Sequence, residues 1–240
     1  MAPMMVHVGF DLPDLRAGRD RGDVLVLVDV LSFSTAVAAG TSRGVIFLPA
    51  GSRRRAESLA LERGAVASTP RREAAPGLYS LSPLSYQGAP PGTRVALRSP
   101  NGARMAVAAQ GSPAVVVAGI VNASACGAAA GAGARAQGRG VTVVACGERL
   151  APGRRRRFAA EDFLGAGAVA AAVDLPRTGE AEAAARAFEA CRGDLERVLL
   201  QTRSGIELVA AGFRDDVAFA ARHDSLSSVP LLRDGELRGR

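Results

Sequence analysis

Short apolar runs alternate along this chain with longer stretches whose apolar positions recur at helical spacing. The clearest run is Val24–Val28, flanked by Asp23 and Asp29, and a continuous β-branched and leucine run of this length predicts a strand buried on both faces. Ser32, Ser34 and Thr35 follow as hydroxyls suited to opening a helix. Residues 44–48 then read as a strand and 53–63 as a helix. Between 68 and 93, Pro70, Pro76, Pro83, Pro90 and Pro91 break any long element, so this stretch reads as an irregular surface excursion suited to an active-site loop. Strands are predicted at 93–97, 114–118 and 141–145, with helices at 101–109 and 122–137. Helices follow over 159–173, 180–191 and 194–202, with a shorter piece after Gly205, and 229–232 reads as an edge strand, where Pro230 is tolerated. The repeating strand–helix alternation predicts an α/β fold: a three-layer α/β/α domain over 1–240 with a largely parallel or mixed sheet. A mostly helical C-terminal part, 174–240, is expected to pack on it.

Composition narrows the function classes. At 48% hydrophobic and 22% charged, the 240 residues are globular rather than disordered. The net charge of +7 raises the question of nucleic acid, but all 30 basic residues are arginine and they are scattered, apart from 53–55 and 154–157. No aromatic residues interleave them, so the stacking platforms of a single-strand binder are missing, and a field that draws in a small anion is the better use. Cys126, Cys146 and Cys191 form no CxxC pair and lie far in sequence from His7, which argues against zinc and against a disulfide framework. Residues 105–134 lack charge, but they are rich in Ala and Gly and interrupted by Pro113 and Asn122, which predicts helix, strand and helix rather than a membrane span. The first residues show no secretory-signal pattern. The expectation is a cytoplasmic protein binding neither nucleic acid nor membrane, with a homodimer left open.

Ligands of open α/β sheets sit beyond the carboxyl ends of strands, and four segments fall there. Asp29-Val-Leu-Ser-Phe-Ser-Thr35 offers an acid that could bind a metal, and Ser32, Ser34 and Thr35 as phosphate ligands or simple helix caps. Arg98-Ser-Pro-Asn-Gly102 offers a guanidinium fork with Ser99, Asn101 and Gly102, or merely a turn. Asn122 either caps its helix or faces the same cavity. Glu161 and Asp162, adjacent near a helix start, diverge by about 100° on a helix, so they share one site only at its terminus or with one acid behind the other. Gly165 and Gly167 would let that helix pack closely on a sheet. Familiar phosphate signatures are absent: no second aspartate follows Asp29 at 31, no cysteine-phosphatase loop occurs, and there is neither a P-loop lysine nor GxGxxG after a strand.

Read in order, the blocks VLVDVLSFSTAV (26–37), LSPLSY (81–86), RSPNGA (98–103), GIVNA (119–123), ACGER (145–149), EDFLGAGA (161–168), SGIELVAAGFRDDVAFAA (204–221) and SSVP (227–230) resemble the 2-phosphosulfolactate phosphatase family over nearly the whole chain. The resemblance implies a Mg²⁺-dependent hydrolase that releases phosphate from 2-phospho-3-sulfolactate, giving 3-sulfolactate, in coenzyme M biosynthesis. It makes Asp29, Glu161 and Asp162 metal or acid/base candidates. Ser32, Ser34, Thr35, Ser99, Asn101 and Gly102 become anion-cradle candidates beside Arg98 and Asn122. The attacking group, a water or Asp29 itself, is left open, as are a different small phospho-acid substrate and a non-catalytic anion-binding role.

Overall fold

The computed structural model describes residues 3–73, 75, 77–149 and 156–240; Pro76 of the proline-rich stretch and Arg154 and Arg155 of the second basic run lie outside them. The organising element is β2 (Val24–Val28), in which every residue is buried. Its side chains alternate between two cores. Val24, Val26 and Val28 face a core with α5 (Ala123–Gln137), α6 (Ala160–Ala172) and α7 (Gly179–Cys191). Leu25 and Leu27 face the opposite one with α1 (Asp11–Arg21), α2 (Phe33–Thr41) and α4 (Gly102–Ala108). Each such fully buried side chain contributes about 1.5–3 kcal/mol, so one strand anchors both outer layers.

Parallel neighbours of β2 are β6 (Val115–Ala118) on one side and β7 (Val141–Ala145) on the other, and β7 in turn pairs with β1 (Val6–Phe10). A second parallel block contains β3 (Ile46–Ala50), β5 (Arg94–Arg98) and β4 (Val66–Ala67), with α3 (Arg53–Arg63) over a small core of its own. The hairpin of β10 (Pro230–Arg233) and β11 (Glu236–Gly239) joins the blocks, giving the order β1-β7-β2-β6-β10-β11-β3-β5-β4. Its outer contacts are antiparallel and sparse: Leu231 pairs with Val116, and Leu237 with Phe47. The architecture is therefore mixed α/β with helices on both faces, as the strand–helix alternation predicts.

Two expectations change, and two elements near the start of the chain were not predicted. The strand predicted at 229–232 lies inside the sheet and not at its edge; Pro230 is accommodated as the first residue of β10, where no ladder N–H is required of it. β1 and α1 had no clear pattern, because α1 buries only Leu15 and Gly18 and carries Pro13 in its first turn. The excursion of 68–93 is not loose surface chain. Tyr79 and Tyr86 stack at 5.4 Å and Tyr86 meets Phe47 at 5.2 Å, so the segment is packed as a wall. The C-terminal part adds α8 (Leu195–Gln201), α9 (Arg203–Ala210) and α10 (Arg214–Ala220) before the hairpin. Gly165 lets α6 close on the end of β2, since a Cβ there would lie 2.9 Å from Val28 Cγ1 and 2.6 Å from Val30 Cγ2 just beyond it, whereas Gly167 faces α7 and the Ala184 carbonyl. Among the described residues no helix is long and apolar enough to cross a membrane.

Candidate functional site

The two blocks run in opposite senses through the hairpin, yet the carboxyl ends of β2 and β5 meet. Sheet twist of roughly 20–25° per neighbouring pair accumulates across the strands between them. At the meeting point Asp29, only 4% exposed, accepts the Gly102 N–H at 2.7 Å and the Ser99 hydroxyl at 3.3 Å, both on Oδ2. Gly102 is required for this approach: a Cβ would fall 2.3 Å from the Phe33 ring and 2.8 Å from Asp29 Oδ2. The first N–H of α4 is thus turned to a side chain of the protein and not to a ligand. Ser99 also accepts the Asn101 N–H at 3.1 Å.

Asn101 reaches across to Glu148, in β8 (Glu148–Arg149), donating from Nδ2 at 3.0 Å and accepting the Arg149 N–H at 3.0 Å. β8 pairs antiparallel with β9 (Arg156–Arg157), a small ribbon beyond the end of β7. Asp29, Ser32, Ser99, Asn101, Glu148 and Glu207 line a cleft of about 240 Å³ with Arg71 on its far side. Arg71 comes from the packed excursion; its Nη2 bonds the Ser32 hydroxyl, and its Nε donates to Asp216 at 2.9 Å.

Behind the cleft stands the acid pair. Asp162 accepts the Val30 N–H at 2.8 Å and the Gly147 N–H at 2.9 Å, one on each oxygen, and so ties the loops after β2 and β7 together. Glu161, 2% exposed, has a buried Oε2 without a hydrogen-bond partner among the described residues. Burial, reinforced by Glu148, pushes the Asp29 carboxyl up to about 6. Burial also raises Asp162, with Asp29 and Glu161 adding to it, and raises Glu148, with Glu161 and Glu207 adding. Closely set carboxylates that raise one another in this way favour a bound cation or a shared proton.

The structure brings Asp29, Ser32, Ser99, Asn101 and Gly102 together, with Glu161 and Asp162 directly behind. It sets the other candidates apart. Ser34 is fully buried, accepting the Asp29 N–H at 2.8 Å, and Thr35 donates to the Val30 carbonyl at 2.7 Å. Asn122, also fully buried, accepts the Gly119 N–H at 2.8 Å and donates to the Ser228 carbonyl at 2.8 Å. Arg98 is exposed and lines a neighbouring hollow. Pattern reading singled out neither Glu148 nor Arg71 nor Glu207. Glu148 and Glu207 stand within the blocks ACGER and SGIELV, whereas Arg71 had no signal at all.

The groups around the cleft that can ligate a cation, those of Asp29, Ser32, Ser99, Asn101, Glu148 and Glu207, all offer oxygen. Among the described residues no three His, Cys, Asp or Glu side chains form a ready chelate. That set is wrong for a closed zinc site but fits Mg²⁺, which keeps several waters and takes one or two carboxylates plus substrate oxygens. Asp29 and Glu161, whose Oε2 has no hydrogen-bond partner among the described residues, are the groups that could hold such a cation, whereas both oxygens of Asp162 are already engaged.

Fold and site together describe an α/β enzyme with an acid-walled cleft at converging strand ends. The family model for 2-phosphosulpholactate phosphatase matches residues 10–235, and the chain belongs to that family of phosphoric monoester hydrolases. It is 27% identical, over 98% of its length and 95% of the relative's, to the 2-phosphosulfolactate phosphatase of Methanothermobacter thermautotrophicus. A probable 2-phosphosulfolactate phosphatase of Thermotoga petrophila is 36% identical over 35% of this chain and 37% of its own. Its counterpart in Thermotoga maritima is 33% identical over the same shares.

Proposed function

We propose that this protein hydrolyses the phosphate ester of 2-phospho-3-sulfolactate in the cytoplasm, with Mg²⁺ as its cofactor. The observation that carries the reading is Asp29, held in place by Gly102 N–H and Ser99 and facing further carboxylates in a chain of this family. When bound, Mg²⁺ supplies positive charge against the phosphoryl oxygens and neutralises the acid cluster. Asp29 and Glu161 would hold it, and Asp162, bonded to Val30 N–H and Gly147 N–H, keeps the two loops from spreading. Arg71, fixed by Asp216 and Ser32, orients the anionic substrate from the other wall. Glu148, raised by burial and aimed by Asn101, takes the proton of the attacking water as the new P–O bond forms. That proton is then available to the alcohol oxygen when its bond to phosphorus breaks.

Phosphate release from 2-phospho-3-sulfolactate, measured with Mg²⁺ and with EDTA, tests the reading. Wild type is expected to turn over only with the metal, and Asp29→Asn to be inactive under both conditions. Turnover that ignores EDTA, or an Asp29→Asn enzyme at wild-type rate, would overturn it.

A further inference from the structure

Beside the acid-walled cleft lies a second hollow of about 320 Å³ that shares Arg71, Leu81 and Leu208 with it. The two are opposite in charge. Asp29, Glu148 and Glu207 line the first, while Arg71, Arg72 and Arg98 line the second with no acid among them. Among the described residues neither Arg72 nor Arg98 makes a salt bridge, whereas Arg71 pairs with Asp216, so two of the three guanidinium groups lining the second hollow carry charge that no carboxylate answers. Arg98 ends β5, one residue before the Ser99 that touches Asp29, and its own N–H is tied to the Ser68 hydroxyl at 2.9 Å.

Arg71 stands at the partition and is held from several sides. Its Nε donates to Asp216, itself 3% exposed, whose other oxygen accepts the Ser82 hydroxyl at 2.6 Å. Its Nη2 bonds Ser32 and, at 3.3 Å, the Leu81 carbonyl, and its guanidinium lies 5.7 Å from the centre of the Phe213 ring. Nη1 makes no hydrogen bond among the described residues. Such a fork, fixed at the boundary, can address an anion on either side.

From this juxtaposition we infer that the arginine-lined hollow receives the substrate's second, non-transferred acidic group, the sulfonate, while the phosphoryl group sits among the carboxylates. The inference rests on the phosphatase reading and adds to it the group that sets substrate choice. A sulfonate is a permanent monoanion with three acceptor oxygens. In the first cleft it would face the carboxylates of Asp29, Glu148 and Glu207. Next door, two unpaired guanidinium groups offer forked, charge-assisted hydrogen bonds without such opposition. Because the two hollows share a wall, a three-carbon acid spans them. Asp216 is then a positioning residue, acting through Arg71.

Calorimetric titration of the full chain in EDTA with 3-sulfolactate and with lactate, which lacks the sulfonate, tests the assignment without turnover. Wild type is expected to bind 3-sulfolactate at least about tenfold more tightly than lactate, and Arg98→Gln and Arg72→Gln each to lose most of that preference. In turnover, the loss of kcat/KM in Arg98→Gln should be at least about tenfold larger for 2-phospho-3-sulfolactate than for 2-phospholactate, and should fall mainly on KM. Arg233→Gln, which removes the same charge from the far end of β10, controls for a general field effect and should leave both ligands as in wild type. Equal affinity of wild type for the two acids, or equal penalties on both substrates in Arg98→Gln, would overturn the inference. The two readings fail separately. Sulfonate preference lost in Arg98→Gln without any phosphate release leaves the subsite and removes the phosphatase; normal turnover with an unmoved KM does the reverse.

Discussion

β2 is bracketed by two aspartates of nearly equal burial, and they have opposite surroundings. Asp23, 3% exposed, enters the strand and receives the Arg21 Nε at 2.9 Å and the Thr142 hydroxyl at 2.7 Å. Asp29 leaves the strand and receives only neutral donors, while its charged neighbour is another acid, Glu148. Burial alone therefore does not mark a functional carboxylate. What distinguishes Asp29 is that its hydrogen-bond donors are all neutral, which on the proposed reading leaves its charge for the metal.

The largest effect expected from this contrast is on turnover. Asp29→Asn should lower phosphate release by about 10³-fold or more in a Mg²⁺ assay, whereas Asp23→Asn should stay within about twofold of wild type. Next comes Gly102→Ala. The added Cβ must displace the Phe33 ring or Asp29 itself, costing about 1–3 kcal/mol in urea unfolding and, through the shifted carboxylate, about 10²-fold in rate. In stability the ranking reverses: Asp23→Asn leaves a neutral amide oxygen where Arg21 had a buried ion-pair partner and puts an NH2 group among donors, and should cost about 1–3 kcal/mol by urea unfolding.

The smallest expected effect sharpens the contrast through pH. In metal-free protein the Asp29 carboxyl is raised from 3.8 to about 6, so the folded state holds a proton that the unfolded chain has released. The stability from that proton is complete below about pH 4 and is lost as pH rises through about 6. Asp29→Asn should accordingly melt above wild type at pH 8 in EDTA, with the gap closing toward pH 4. Added Mg²⁺ should raise the melting temperature of wild type and not that of the variant.

How much of this could be read in the chain depends on what each residue faces. β2 and its terminal acid are legible because a strand buried on both faces tolerates no polar residue until it ends. Ser34 and Thr35 mislead, since every residue of α2 is buried and helical spacing cannot tell a hydroxyl aimed at a ligand from one aimed at a carbonyl. Arg71 is illegible: it reaches the cleft through the packing of Tyr79 and Tyr86 and through Asp216, partners far away in sequence. β10 was readable as a strand but not as a central one, because its place is set by the gap between the two blocks.

That gap has a consequence for the order of assembly. Residues 6–10, 24–28, 115–118 and 141–145 can form one half-sheet, and 46–50, 66–67 and 94–98 the other, well before the ribosome reaches Pro230. Until the hairpin is made, the inner rims of both halves present unpaired amides and carbonyls to whatever is nearby. The emerging polypeptide therefore passes through a stage in which adhesion between neighbouring copies competes with its own completion, and a chaperone has most to offer during that interval.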